Sequence, residues 1–139
     1  MIGGLKKINM TQEDKELLIK DLSARLPYYV KAKDKGGAVI TICAYHPYGI
    51  IDNYGVMHNI GNTKPYLFPM SSMTEEQKEE YHYIVNYISP DDTENWAEGE
   101  FVYVNQIEQL LHFYHTNHLD YRGLIPMDLA IDATVLNIY

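Results

Sequence analysis

From Gln12 onward charged residues alternate with leucines, and Leu18, Leu22 and Leu26 recur every four positions with Leu17 and Ile19 on the flanks. That spacing is one turn of α-helix, so the stripe predicts a helix over about residues 12–26. Thr11 supplies an N-cap, Asp14 suits the first turn, and Pro27 stops the helix. The period then changes from four to two. Tyr29, Lys31 and Lys33 alternate with Tyr28, Val30 and Ala32, and the run "AVITICAY" is apolar and β-branched. With Gly36 and Gly37 as a positive-φ turn, these two runs predict a β-hairpin. The next stretch, "HPYGIIDNYGVMHNIGNTKPY", is dense in turn residues, and its apolar pieces predict one more hairpin or two short edge strands.

Farther on, Ser72 or Thr74 caps a second helix, with Glu75 or Gln77 completing a capping box. Tyr81, Ile84, Val85 and Ile88 form its apolar side, and Ser89-Pro90 ends it. "SPDDTENWAEGEF" reads as an acidic loop around Trp96. "EGEFVYV" then reads as a short strand, and Asn105 with Glu108 as another capping box. The third helix follows on "QIEQLLHFYHTN", with Ile107, Leu110, Leu111 and Tyr114 inward. Gly123 breaks it, Pro126 opens a single turn, and "ATVLNIY" is a last strand. The pattern predicts an α+β fold, with about three helices on an antiparallel sheet of four to six short strands. A flexible tail over residues 1–10 precedes a single domain over 11–139.

Composition narrows this picture. The chain has 139 residues, enough for one domain, and 46% of them are apolar, enough for a core. No apolar stretch approaches the roughly 20 residues of a membrane span. The N-terminus lacks the apolar region and cleavage site of a secretory signal. One cysteine, Cys43, forms no internal disulfide and falls in an apolar run, which predicts a buried, inert thiol and a cytoplasmic setting. Charge is uneven: residues 1–70 carry 9 Lys/Arg against 6 Asp/Glu, and residues 71–139 carry 2 against 13. The acidic half argues against direct nucleic-acid binding, because phosphates would be repelled. Thirteen tyrosines suit both a core and an interface.

Three runs resemble a group of small uncharacterised proteins from phages, prophages and mobile elements of gut bacteria. They are "TQEDKELL…LSARLPY" from Thr11 to Tyr28, "KPYLFPMSSMTEE" from Lys64 to Glu76, and "HLDYRGLI" from His118 to Ile125. The resemblance covers both ends and the centre, and it implies a mobile-element context rather than a reaction. Where this chain reads "HTNH", the group reads closer to "NAHH", so His112 and His115 are not part of its pattern.

Candidate chemistry concentrates in "LLHFYHTNHLDYRGL". On a helix, His112 and His115 lie close enough to converge, but His118 falls past the helix end and sits about 9 Å farther along the axis. A closed metal site would need Asp120 or a remote ligand such as His58, and the spacing is not that of a zinc helix. No metal and no cofactor is therefore expected. Arg122 is expected to pair with Asp120 or with the acidic helix and to fix the turn at Gly123. The functional reading of the same residues is a pocket for an anionic ligand lined by His118, Tyr121 and Arg122, with Lys64 and Tyr66 as further ligand contacts. Glu75, Glu76, Glu79, Glu80, Asp91 and Asp92 are expected to form one acidic interaction face. No nucleophile elbow, phosphate loop or carboxylate pair stands out, so no catalytic residue is assigned. The leading expectation is a non-enzymatic binding or interaction protein, a phage or mobile-element accessory factor whose partner is a protein or a small anionic ligand. The first alternative is a counter-defence factor, either an acidic inhibitor of a nucleic-acid-binding protein or a sequestering protein for a small nucleotide. The second is a metal-dependent hydrolase using His118 and Asp120.

Overall fold

The computed structural model describes residues 10–86 and 96–139, with the side chains of residues 96–104 left out. Three α-helices pack with a six-stranded sheet, an α+β arrangement. The helices are α1 (Gln12–Arg25), α2 (Glu75–Asn86) and α3 (Trp96–Thr116). The strands are β1 (Lys31–Lys33), β2 (Val39–His46), β3 (Gly49–Asp52), β4 (Met57–His58), β5 (Lys64–Leu67) and β6 (Ile131–Asp132). Their order across the sheet is β4-β3-β2-β1-β5-β6, antiparallel except for the parallel pair β5 and β6.

Helix α1 opens on a capping box. The Thr11 side chain accepts the N–H of Asp14, and Asp14 accepts the N–H of Thr11. Leu18 and Leu22 are fully buried, as the stripe requires. They meet Ala32, Ile40, Ile42, Ile50 and Leu67 on one face of the sheet, together with Leu124, Leu129 and Ala130 from the segment before β6. A second cluster joins α2 and α3 through Ile84 and Phe113, with Leu119, Phe68 and Tyr81 against it. The opposite sheet face carries Lys31, Lys33, Thr41, Cys43, Met57 and Lys64, all exposed or half-exposed.

Several expectations need correction. The first strand of the hairpin starts at Lys31, because Leu26–Tyr28 continue α1 as a 3-10 turn and Tyr29 takes φ 58°. Gly37, at φ 89°, alone supplies the positive-φ position of that hairpin's turn. Cys43 is exposed rather than buried: Ile42 takes the inward position, so its neighbour points to the uncovered face. "EGEFVYV" is helix rather than strand, and Asn105 lies inside α3 rather than at a cap. Helix propagation overrides the local β-propensity of Phe-Val-Tyr-Val. On α3, Leu110 and Tyr114 pack inward as expected, but Ile107 and Leu111 do not, and Phe113 takes the buried position. Phe113 is 2% exposed whereas Ile107 is 44% and Leu111 37% exposed. The last strand is Ile131–Asp132, and "ATVLNIY" is turn and irregular chain rather than strand. Asp132 accepts both the N–H and the hydroxyl of Thr134, an Asx-type turn that ends the ladder. Ser72 does not cap α2. Thr74 does, in a reciprocal box with Gln77. Tail residues 1–9, Ile88 and most of the expected acidic loop lie outside the described residues.

Candidate functional site: a cation–aromatic cluster around Tyr121

The buried stripe of α1 is not wholly apolar. Asp21 and Arg25 are one turn apart on the same side as Leu18 and Leu22, and both are fully buried. Arg25 donates from Nε to Asp21 Oδ2 at 2.7 Å and from Nη2 to Asp21 Oδ1 at 3.2 Å. The same Nη2 donates to the Leu119 carbonyl at 2.7 Å, tying α1 to the turn after α3. That turn also delivers Arg122, whose Nε sits 3.2 Å from Asp21 Oδ1 but makes no hydrogen bond there. Arg25 and Arg122 are the only arginines in the chain. Both therefore converge on one carboxylate, and Nη1 of Arg25 is buried without a partner.

Tyr121 fills the space beside them. The Arg25 and Arg122 guanidiniums lie 5.2 Å and 5.0 Å from its ring centre, and Tyr114 stacks on it at 4.7 Å and 16°. Its hydroxyl is 2.8 Å from His115 Nε2. Tyr28 extends the row, with its ring 5.3 Å from His115 and its hydroxyl 2.8 Å from His112 Nδ1. Burial, reinforced by the positive charges of Arg25 and Arg122, lowers the His115 pKa to about 4. Burial likewise raises the Tyr114 hydroxyl to about 12.

His118 belongs to an adjoining arrangement. It sits at φ 53°, and its ring stacks on Tyr139 at 3.7 Å and 14°. Burial, then Arg25 and Lys31, lowers its pKa to about 4, and its Nδ1 is buried without a partner. The Tyr139 hydroxyl donates to the Tyr66 carbonyl at 2.7 Å and accepts the Lys31 N–H at 2.9 Å. It thereby bridges β1 and β5 beyond their ladder, and burial holds its pKa well above the usual tyrosine value.

The sequence-based candidates are thus partly gathered and partly dispersed. Tyr121 and Arg122 share one cluster, and His118 adjoins it. Arg122 pairs with Asp21, not with Asp120 or α2. Asp120 instead accepts the N–H groups of Leu124 and Ile125, one on each oxygen, and fixes the turn at Gly123. Tyr66 is a buried sheet residue, and Lys64 pairs with Asp128 at 2.8 Å. Glu75, Glu76, Glu79 and Glu80 are exposed on α2, while Asp91 and Asp92 lie outside the described residues. The three histidines do not converge: His112 meets Tyr28 and Thr116, His115 meets Tyr121, and His118 meets Tyr139. Sequence reading missed Asp21 and Arg25. Their signal was present, because positions 18, 21, 22 and 25 share one helix face.

A second feature lies at the β4 edge of the sheet. Tyr45 on β2, Tyr48 in the β2–β3 turn, Tyr54 and Val56 in the β3–β4 turn and Met57 on β4 are 44%, 80%, 85%, 52% and 48% exposed. The ribbon beneath them is clasped by Asp52, which accepts the N–H groups of Tyr54 and Val56 and bonds His58 Nε2 at 2.7 Å. The hydrogen bond from His58 holds the Asp52 carboxyl below its ordinary pKa. No family model, curated protein or solved structure matches this chain.

Proposed function

We infer that the protein is a non-enzymatic interaction protein that docks a protein partner on the edge ribbon formed by β3 and β4. What carries this reading is the exposure of Tyr45, Tyr48, Tyr54, Val56 and Met57 on β2, on β4 and in the turns at the two ends of β3. Edge strands are ordinarily blunted by charge or proline. This one carries Met57, with Tyr48 and Tyr54 in the turns beside it, and both residue types are enriched at interfaces and present rigid or adaptable apolar area to a partner. The mobile-element setting implied by the resemblance of the Lys64 to Glu76 and His118 to Ile125 runs suits an accessory factor of this kind. The test places a photo-cross-linking residue at Tyr48 or Tyr54 in the full chain and exposes it to host lysate. A discrete conjugate is expected at these two positions and not at Lys20, which is exposed on α1. The triple variant Tyr48→Ser, Tyr54→Ser, Met57→Lys should lose the partner and keep its circular dichroism. Retention of the same partner by that variant would overturn the reading.

A second reading is an acidic inhibitor, favoured by the exposure of Glu75, Glu76, Glu79 and Glu80 on α2. It expects association with a basic partner to slow steeply with salt, because the screening length shrinks from about 8 Å toward 3 Å. Glu79→Lys with Glu80→Lys should then abolish binding, whereas under the edge-ribbon reading it leaves binding intact.

A further inference from the structure

We propose that the cluster of Asp21, Arg25, Arg122 and Tyr121 is a binding site for a small oxyanion, a phosphate or a carboxylate group. The inference is independent of the edge ribbon and of the identity of any protein partner.

Charge is the first observation. Two guanidiniums share one carboxylate, and Asp120, the next acid along the turn, spends both oxygens on backbone N–H groups. Among the described residues Arg122 reaches only this one carboxylate, which is itself wholly buried, and makes no hydrogen bond to it. Buried charges are normally paired in full, since an unpaired ion loses its hydration without replacement.

Unused donors are the second. Nη1 of the fully buried Arg25 has no partner, and Nε of Arg122 makes no hydrogen bond although it lies beside Asp21. Buried donors without acceptors are rare in folded proteins, and their coincidence at one place points to an acceptor from outside the chain. Guanidinium forks match planar carboxylate and phosphate oxygens, two bonds at a time.

The surroundings suit the same ligand. Arg122 retains 23% side-chain exposure while its Nε and Nη1 of Arg25 are buried, so solvent meets the cluster at the outer part of the Arg122 side chain. Tyr121 is held between Tyr114 and the two guanidiniums, and its hydroxyl is anchored on His115, so the cations are pinned in place before any ligand arrives.

The experiment uses the full chain. Phosphate and acetate are titrated separately, with sodium chloride holding ionic strength constant, and the melting temperature is followed. Above the binding midpoint a specific anion should raise Tm by about 4 °C per tenfold increase in concentration. A rise with phosphate assigns a phosphoryl ligand, and a rise with acetate alone assigns a carboxylate. Arg122→Gln should remove the rise, and Arg122→Lys should leave a weaker one. Should Arg122→Gln fail to fold, the wild-type chain still decides the matter: with two arginines, its guanidinium Nε–H region holds two resonances. Both should shift saturably with the anion. If neither anion exceeds chloride in Tm, or both resonances stay still, the site does not exist.

Discussion

Arg25 and Arg122 look alike in sequence but stand in different energetic positions. Arg25 is fully buried and makes two hydrogen bonds to Asp21 and one to Leu119. Truncating it leaves the Asp21 carboxylate buried with a single, poorly directed partner. Arg25→Ala is therefore expected to cost about 3–5 kcal/mol in urea denaturation. Arg122 is partly exposed and contributes a charge without a hydrogen bond to Asp21, so Arg122→Ala should cost about 1 kcal/mol. Equal losses would contradict this division of roles. The sequence carried half of this arrangement. Asp21 and Arg25 have i, i+4 spacing on a stripe already recognisable from Leu18 and Leu22. The other half was hidden, because the contact of Arg122 with Asp21 joins opposite ends of the chain and no local pattern encodes it. The nearby Asp120 was the obvious partner by proximity, yet a backbone turn claims both its oxygens.

At the scale of elements, the caps of α1 and α2 were legible, whereas the box expected at Asn105 falls inside α3 and boundaries set by packing left no local sign. Thr11 was expected as a cap, and Thr74 as one of two candidates; in the structure each forms a reciprocal box, with Asp14 and with Gln77. Thr74→Ala is expected to lower stability by about 1 kcal/mol, measured by chemical denaturation. The start of α3 was misread because Phe101 to Val104 favour a strand taken alone. Only the longer helix that runs on to Thr116 decides otherwise. The edge ribbon has its own point of fragility. A Cβ on Gly49 would collide with the His58 carbonyl oxygen, a backbone atom that cannot swing aside. Gly49→Ala should therefore separate β4 from β3 and expose the ribbon to limited proteolysis while leaving α1 protected in hydrogen exchange. Unchanged proteolysis would show that the two strands adapt.

For the whole molecule, the α+β architecture followed from the change of period between residues 26 and 46, and the sheet order did not. The parallel β6 is two residues long and is positioned by Leu67 and by the Asx-type turn at Asp132, so it leaves almost no periodic trace. Among the described residues, no helix is long and apolar enough to cross a membrane. One buried and one half-buried histidine give the fold a defined response to acid. His115 and His118 have folded-state pKa values of about 4 against an ordinary 6.5. Between those limits the unfolded chain holds up to two more protons than the folded one, so stability rises with pH there. Read downward, stability is intact above about 6.5 and is lost as pH falls, with a slope approaching about 2.7 kcal/mol per pH unit before levelling near 4. The Asp52 carboxyl does not confuse this window, because the hydrogen bond from His58 holds its pKa below the ordinary carboxylate value and its contribution is lost only in stronger acid. Replacing His115 with Gln, which keeps a polar atom near the Tyr121 hydroxyl without a titrating ring, should halve the slope. Denaturation midpoints at pH 7, 6 and 5 check this, and a pH-independent midpoint would mean that neither ring is held neutral by its surroundings. A bound oxyanion beside Arg25 and Arg122 would offset part of the repulsion that keeps His115 uncharged. Adding the anion that binds should therefore move the acid transition of the wild type to lower stability loss at a given pH, and should not do so in Arg122→Gln.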